Sequence, residues 1–185
     1  NMQASFPEYA AYNAKLRSQM PPSLINQLKV FEDKGDYHNE EYIALVTRAY
    51  YRKHICRMDP FPRSFERALE HINGHIYELM QGPSEFVPGG RLAHWDVTNE
   101  LKSIQIPTLM VGASHDSMDP QAIEKMAKLV QNGRYLHRPN GSHLAMWDDP
   151  EPFFEGVMKF IKDGKQSATL IAGGEQVTID GEGYF

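Results

Sequence analysis

Cysteine is almost missing: Cys56 is the one thiol in 185 residues. That excludes an internal disulfide and a thiolate-bound zinc cluster, and it suits a reducing, cytoplasmic compartment. Positive charge is also in short supply, with 19 Lys and Arg against 24 Asp and Glu and a net charge of -5. Since no Lys/Arg-rich run is present either, no nucleic-acid partner is expected. No apolar run approaches the ~20 residues of a membrane span, so no membrane partner is expected. A signal peptide is not visible, but the chain opens on Asn1 rather than Met, so that absence carries no weight. Ligand spacings such as H-E-x-x-H are lacking, and neither a metal nor an organic cofactor is expected. The absence with the widest consequence is G-x-S-x-G, the strand-to-helix turn that presents a serine nucleophile. Ser84, Ser114 and Ser142 each have a glycine nearby, yet none stands in that pattern.

What is present changes its period along the chain. Residues 1–6 read as an extended lead-in. From Pro7 to about Arg57 apolar residues recur at three- and four-residue steps, and Pro21-Pro22 and Gly35-Asp36 divide them into three helices. Asp59-Pro60-Phe61-Pro62 interrupts the pattern, and Phe65, Leu69, Ile72 and Ile76 resume it as one further helix. Residues 82–90 form a loop rich in Gly and Pro, after which Asp96 is placed to cap a short helix. Ile106 to Val111 is an uninterrupted β-rich run, which predicts a strand covered on both faces. Pro120 to Gln131 is an amphipathic helix, Arg134 to Arg138 a second strand, and Glu151 to Lys162 a last helix with Phe153, Phe154, Val157, Phe160 and Ile161 on its apolar side. Strand, helix, strand and helix in succession make an α/β unit. The tail from Gln166 to Phe185 alternates weakly through Leu170, Val177 and Ile179, as a hairpin would. Two parallel strands do not make a stable sheet, so further strands are expected from residues upstream of Asn1 or from another chain.

An acid after one parallel strand and a histidine after the next is how a charge-relay pair reaches the rim of an open α/β sheet. Asp116 follows the first strand; Asp119, directly before Pro120, occupies the better capping position and leaves Asp116 for chemistry. His143, in Asn140-Gly141-Ser142-His143, follows the second strand and is the candidate general base. His115 adjoins the acid, but alternation points it to the other side. Glu85 lies in an otherwise uncharged loop, where it is either a solvated acid or the partner of a cationic ligand group. Trp95 and Trp147 are core residues by default, with a pocket lining as the alternative. Cys56, in a helical stretch with basic neighbours, is a poor nucleophile.

Several stretches resemble the C-terminal half of proline iminopeptidases, serine peptidases of the α/β-hydrolase fold. They are Glu78-Leu79-Met80-Gln81-Gly82-Pro83-Ser84-Glu85-Phe86, Trp95-Asp96-Val97-Thr98, Ile106-Pro107-Thr108-Leu109, Asp116-Ser117-Met118-Asp119-Pro120 and Gly141-Ser142-His143-Leu144-Ala145-Met146-Trp147-Asp148-Asp149. The likeness runs from about Asn1 to Lys162. It implies an α/β fold: the C-terminal part of an α/β-hydrolase sheet with a helical cap, the N-terminal strands and nucleophile elbow being absent from the chain. The implied divisions are a lead-in over 1–6, a cap over 7–94, core over 95–165 and a tail over 166–185. It also implies that Asp116 and His143 are triad members and that Glu85 recognises the substrate's free N-terminal amine. Some relatives carry a second acid directly after the triad Asp; here that place is Ser117.

Three functions follow as expectations. The first is release of N-terminal proline from small peptides with a free N-terminus, the serine being supplied by an N-terminal portion or partner chain. The second, motivated by Ser117, is an amino-acid amidase or esterase of the same fold. The third is a catalytically incomplete fragment or subunit that needs an N-terminal partner.

Overall fold

In a computed structural model the described residues are 3–166, 169–172 and 175–178. Gln3 to Phe6 connects the two halves of the molecule. Ser5 forms an antiparallel bridge with Asp96, the Val97 N–H donates to the Ala4 carbonyl at 2.8 Å, and the Phe6 N–H donates to the Trp95 carbonyl at 2.9 Å. Asn1 and Met2, the start of the expected lead-in, lie outside the described residues.

Helix α1 (Phe6–Ser18) starts where the Ser5 hydroxyl accepts the Glu8 N–H and Pro7 fills the first turn. Helix α2 (Pro22–Glu32) and helix α3 (Glu40–Val46) follow, the latter capped by Asn39, whose Oδ1 accepts the Glu41 N–H at 3.0 Å. The third helix was expected to run on to about Arg57. It does so by changing its winding: α3 passes into a nine-residue π-helical segment, Thr47–Ile55. The Cys56 N–H closes that segment on the carbonyl of Tyr51, five residues back. Leu16, Leu28, Tyr42, Leu45 and Tyr50 meet as the core of this helical part. Each buried leucine among them contributes about 1.5–3 kcal/mol.

The single helix expected through Phe65 and Ile76 is two, α4 (Arg63–Glu70) and α5 (Gly74–Gln81). Asn73 breaks it by accepting the Ile76 N–H on its side chain at 3.1 Å, a competing local bond that ends one helix and starts the next. Asp96 does accept the Thr98 N–H at 2.9 Å, but the element it opens, Thr98–Ser103, is a 3-10 helix.

Strand β1 (Thr108–Ala113) pairs in parallel with β2 (Gly133–Arg138), Thr108 opposite Gly133 and Ala113 opposite Arg138, and helix α6 (Pro120–Leu129) makes the crossover. Asp119 caps α6 through Oδ1 to the Gln121 N–H at 2.9 Å, as expected. Ala4, Leu101, Ile123, Met126 and Val130 form a second core beneath this unit. The strand begins two residues later than its apolar run, and none of its six residues is exposed. Ile106 is 71% exposed, Pro107 has no N–H to give a ladder, and among the described residues β1 has a neighbour on one edge only. Helix α7 (Ala145–Asp148) was not anticipated; helix α8 (Pro150–Gln166) was, but Phe154 and Ile161 on its apolar side stand exposed. Strand β3 (Thr169–Ala172) pairs antiparallel with β4 (Glu175–Thr178), and the rest of the tail, Ile179 included, lies outside the described residues.

Gly82 ends α5 at φ 111°, where a Cβ would stand 2.5 Å from the Val87 carbonyl oxygen and 2.8 Å from the Gly89 nitrogen. Because L-residues scarcely occupy that region, Gly82→Ala is expected to cost on the order of 1–3 kcal/mol. An unchanged urea midpoint would contradict this backbone account.

Candidate active site

The turn after β1 brings Asp116 back over the strand, its N–H donating to the Ala113 carbonyl at 3.2 Å. The carboxylate is fully buried. Its Oδ1 accepts the Met118 N–H at 2.9 Å and the Ser117 hydroxyl at 3.3 Å, and it lies 2.9 Å from Nδ1 of His143. A carboxylate can only accept, so Nδ1 carries the hydrogen and Nε2 is left bare to take a proton. The exposures divide the labour: the Asp116 side chain is 0% exposed and that of His143 23%. The acid is shielded from water, and the base is reachable. The two turns are also bonded directly, Ser114 N–H to the Arg138 carbonyl at 3.0 Å and His115 N–H to the Gly141 carbonyl at 3.1 Å.

The histidine loop is held from the helical side. The His143 N–H donates to the carbonyl of His54 at 3.1 Å and the Leu144 N–H to that of Ile55 at 2.9 Å, so the end of the π-helical segment finds its acceptors' partners in this loop. The Ser142 hydroxyl shares its one hydrogen between the Ile55 carbonyl and Asp148. Asp148 in turn accepts the Ser142 N–H and the Arg57 N–H, each at 3.0 Å. Behind it, Arg138 and Asp149 form a buried ion pair at 2.9 Å. Neither His54 nor Arg57 carries a local sequence signal for this role; their partners lie 61 and 91 positions along the chain.

Glu85 is not the solvated loop acid that its sequence surroundings allowed. It is 8% exposed, and the hydroxyls of Tyr51 and Tyr77 donate to its Oε1 at 2.7 and 2.9 Å. Burial, reinforced by the nearby carboxylate, pushes both phenols well above their ordinary range, so both remain donors. Among the described residues nothing donates to Oε2. Gln81 extends the network, donating to Tyr77 at 2.8 Å and to Tyr9 at 3.3 Å. Ser84 braces the loop by accepting the Tyr42 hydroxyl at 3.1 Å and the Phe86 N–H at 3.3 Å.

The other candidates take different places. Ser114 Oγ lies 2.9 Å from Nε2 of His137 rather than near His143, and the N–H groups of residues 114 to 116 are all engaged, leaving no donors for an oxyanion there. Ser117 turns inward onto Asp116. Cys56 is buried, which pushes its thiol up and away from reactivity. Trp147 is exposed and Trp95 half-buried, so neither belongs to the core. Among the described residues no group of three or more His, Cys, Asp and Glu side chains is placed to hold a metal, and no helix is long and apolar enough to cross a membrane.

No protein-family model matches the chain. It is 51% identical over 164 residues to the proline iminopeptidase of Flavobacterium johnsoniae and 52% identical over 165 residues to that of Elizabethkingia meningoseptica; each alignment takes in 88% of this chain and 55% of the relative. The crystal structure of VinJ superposes with a TM-score of 0.81 at 32% identity, over 87% of this chain and 55% of that one. The crystal structure of the proline iminopeptidase of Mycobacterium smegmatis does so with a TM-score of 0.75 at 26% identity, over 88% and 55%. The chain thus spans about half the length of the curated relatives it matches. The fold is that of an α/β-hydrolase, with part of its sheet.

Two outcomes follow from this geometry. Asp148→Ala leaves the Ser142 N–H without its acceptor and is expected to lower stability by about 1–3 kcal/mol, read from a urea midpoint. Burial pushes the His54 imidazole below its ordinary 6.5. A histidine kept neutral by folding contributes stability that is complete above the unfolded value and is lost as the pH falls through the lower folded one. The melting temperature should therefore fall on acidification below about pH 6.5, and His54→Gln should flatten that dependence.

Proposed function

We propose that this chain, a relative of the proline iminopeptidases of the α/β-hydrolase fold, contributes two of the three members of a serine peptidase's triad. The reaction is release of N-terminal proline from small peptides. Residues 7–94 act as the cap over the site, and 95–165 supply the acid and the base. An N-terminal portion or a separate chain supplies the serine, in a reducing, cytoplasmic setting that suits Cys56. The observation that carries the reading is the 2.9 Å bond between His143 Nδ1 and the buried Asp116.

In this mechanism the serine Oγ attacks the prolyl carbonyl while Nε2 of His143 takes its proton. Asp116 keeps Nδ1 protonated and stabilises the imidazolium that forms. The same Nε2 proton then passes to the leaving amine, and water repeats the cycle on the acyl-enzyme. Glu85 is the anchor for the substrate's amine: two phenols occupy Oε1, and Oε2 faces the ammonium. A carboxylate in that position measures the distance from the chain end to the scissile bond, as an exopeptidase requires. One observation favours a second reading. Ser117 stands where some relatives carry another acid, and its hydroxyl is spent on Asp116. With one acid in place of two, an amidase or esterase acting on simpler substrates is the alternative.

The test is to join the chain to its upstream segment and compare turnover of a proline anilide, a proline-headed dipeptide and a short acyl ester. Proline substrates should lead. Asp116→Asn should lower kcat on the order of 10⁴-fold, as loss of the correct imidazole tautomer does. Glu85→Gln should act mainly on KM and reduce kcat/KM about 10- to 100-fold, the equivalent of one charged hydrogen bond of about 1.5–3 kcal/mol. Preference for the ester would favour the alternative, and no turnover of any substrate would overturn both.

A further inference from the structure

His54 touches both turns of the candidate site through two different groups. Its Nδ1 lies 3.1 Å from the carbonyl oxygen of His115, the residue before Asp116. Its own carbonyl accepts the N–H of His143 at 3.1 Å. The carbonyl of His115 can only accept, so His54 Nδ1 carries a hydrogen. The ring packs against Tyr50 with centroids 5.3 Å apart, and the Tyr50 hydroxyl bonds to Asn13. The Asn13 amide donates to the carbonyl of Ser117 at 3.3 Å. Both neighbours of Asp116 are therefore held at their carbonyls by side chains from the helical part, His115 by His54 and Ser117 by Asn13.

We infer that His54 is a positioning residue that sets the distance between Asp116 and His143, an inference that rests on reading those two as a charge-relay pair. The geometry separates this role from general scaffolding. The turns are also tied together by their own backbones, at Ser114 to Arg138 and His115 to Gly141, so they stay adjacent without His54. What His54 adds is an attachment on each turn beside the paired groups themselves, its ring on the carbonyl before Asp116 and its own carbonyl on the N–H of His143. Two points fix the rotation of each turn about the backbone ties. That rotation decides whether Asp116 Oδ1 and His143 Nδ1 meet in line. Within the π-helical segment the ring and the carbonyl of His54 reach the two different turns at once.

The test compares His54→Ala, which removes the donor, with His54→Asn, whose side-chain amide nitrogen sits near the place of Nδ1. Histidine-labelled NMR of the chain joined to its upstream segment reads the His143 Nδ1–H directly, as a far-downfield proton protected from water by its bond to Asp116. The wild type is expected to give that resonance, His54→Ala to broaden or lose it, and His54→Asn to restore it. If His54→Ala does not fold, His54→Leu supplies a donor-free side chain of closer size for the same comparison. In the assembled enzyme His54→Ala should lower kcat about 10- to 100-fold, the scale of a misplaced catalytic group, with KM unchanged. A resonance equally strong and equally protected in the wild type and the donor-free variant overturns the positioning role. Its absence from the wild type instead overturns the charge-relay reading on which the inference stands.

Discussion

Backbone groups at the end of a helix need partners, and here one such need organises the site. The carbonyls of His54 and Ile55 stand at the end of the π-helical segment, where no further turn supplies N–H groups. They are met by His143, Leu144 and the Ser142 hydroxyl, all from the loop after β2. Each partner satisfies the other. A helix end buried without donors and a loop buried without acceptors would each cost about the desolvation of a hydrogen bond, so the two dock as one unit. Arg57 and Asp148 extend the seam past the helix end. The helical part is in this way bolted onto the histidine loop and does more than cover it.

The same seam explains why two acids near His143 have different duties. Asp116 is buried against the imidazole, while Asp148 accepts backbone and hydroxyl donors and fixes the loop. A third, Asp149, neutralises the buried Arg138. A buried ion pair of this kind adds little net stability, but removing one member leaves an uncompensated charge. Glu85 follows another rule. Its burial is compensated by two phenols that burial itself keeps protonated, and both donate to the same carboxylate oxygen, Oε1.

Much of the fold was legible because adjacent residues decide it. Asp119-Pro120 announces a capped helix through one side-chain bond and one fixed φ, and α6 begins there. The loop read from Gly82 onward likewise begins where α5 ends. Places where the reading failed are those where two local signals compete or where the partner is distant. Phe65 to Ile76 keeps a helical period through Asn73, yet the Asn73 side chain takes the Ile76 N–H and divides the helix. Ile106 belongs to an apolar run, but Pro107 cannot enter a ladder, so the strand starts after it. The π-winding at Thr47–Ile55 leaves no trace in the spacing of Ala49 and Tyr50, which suits either winding.

By itself the sequence determined that an acid would follow one parallel strand and a histidine the next, since strand, crossover helix and cap each depend on residues within a turn of one another. It also determined, by lacking G-x-S-x-G, that a serine on such a turn is not among these residues. Only the tertiary structure decided that His143 meets Asp116 across 27 positions, that Tyr51 desolvates Glu85 across 34, and that Arg57 reaches Asp148 across 91. Those contacts depend on how the helical part sits against the sheet. That arrangement is set by packing and by buried groups finding partners, and no short window of sequence contains both sides of such a bond.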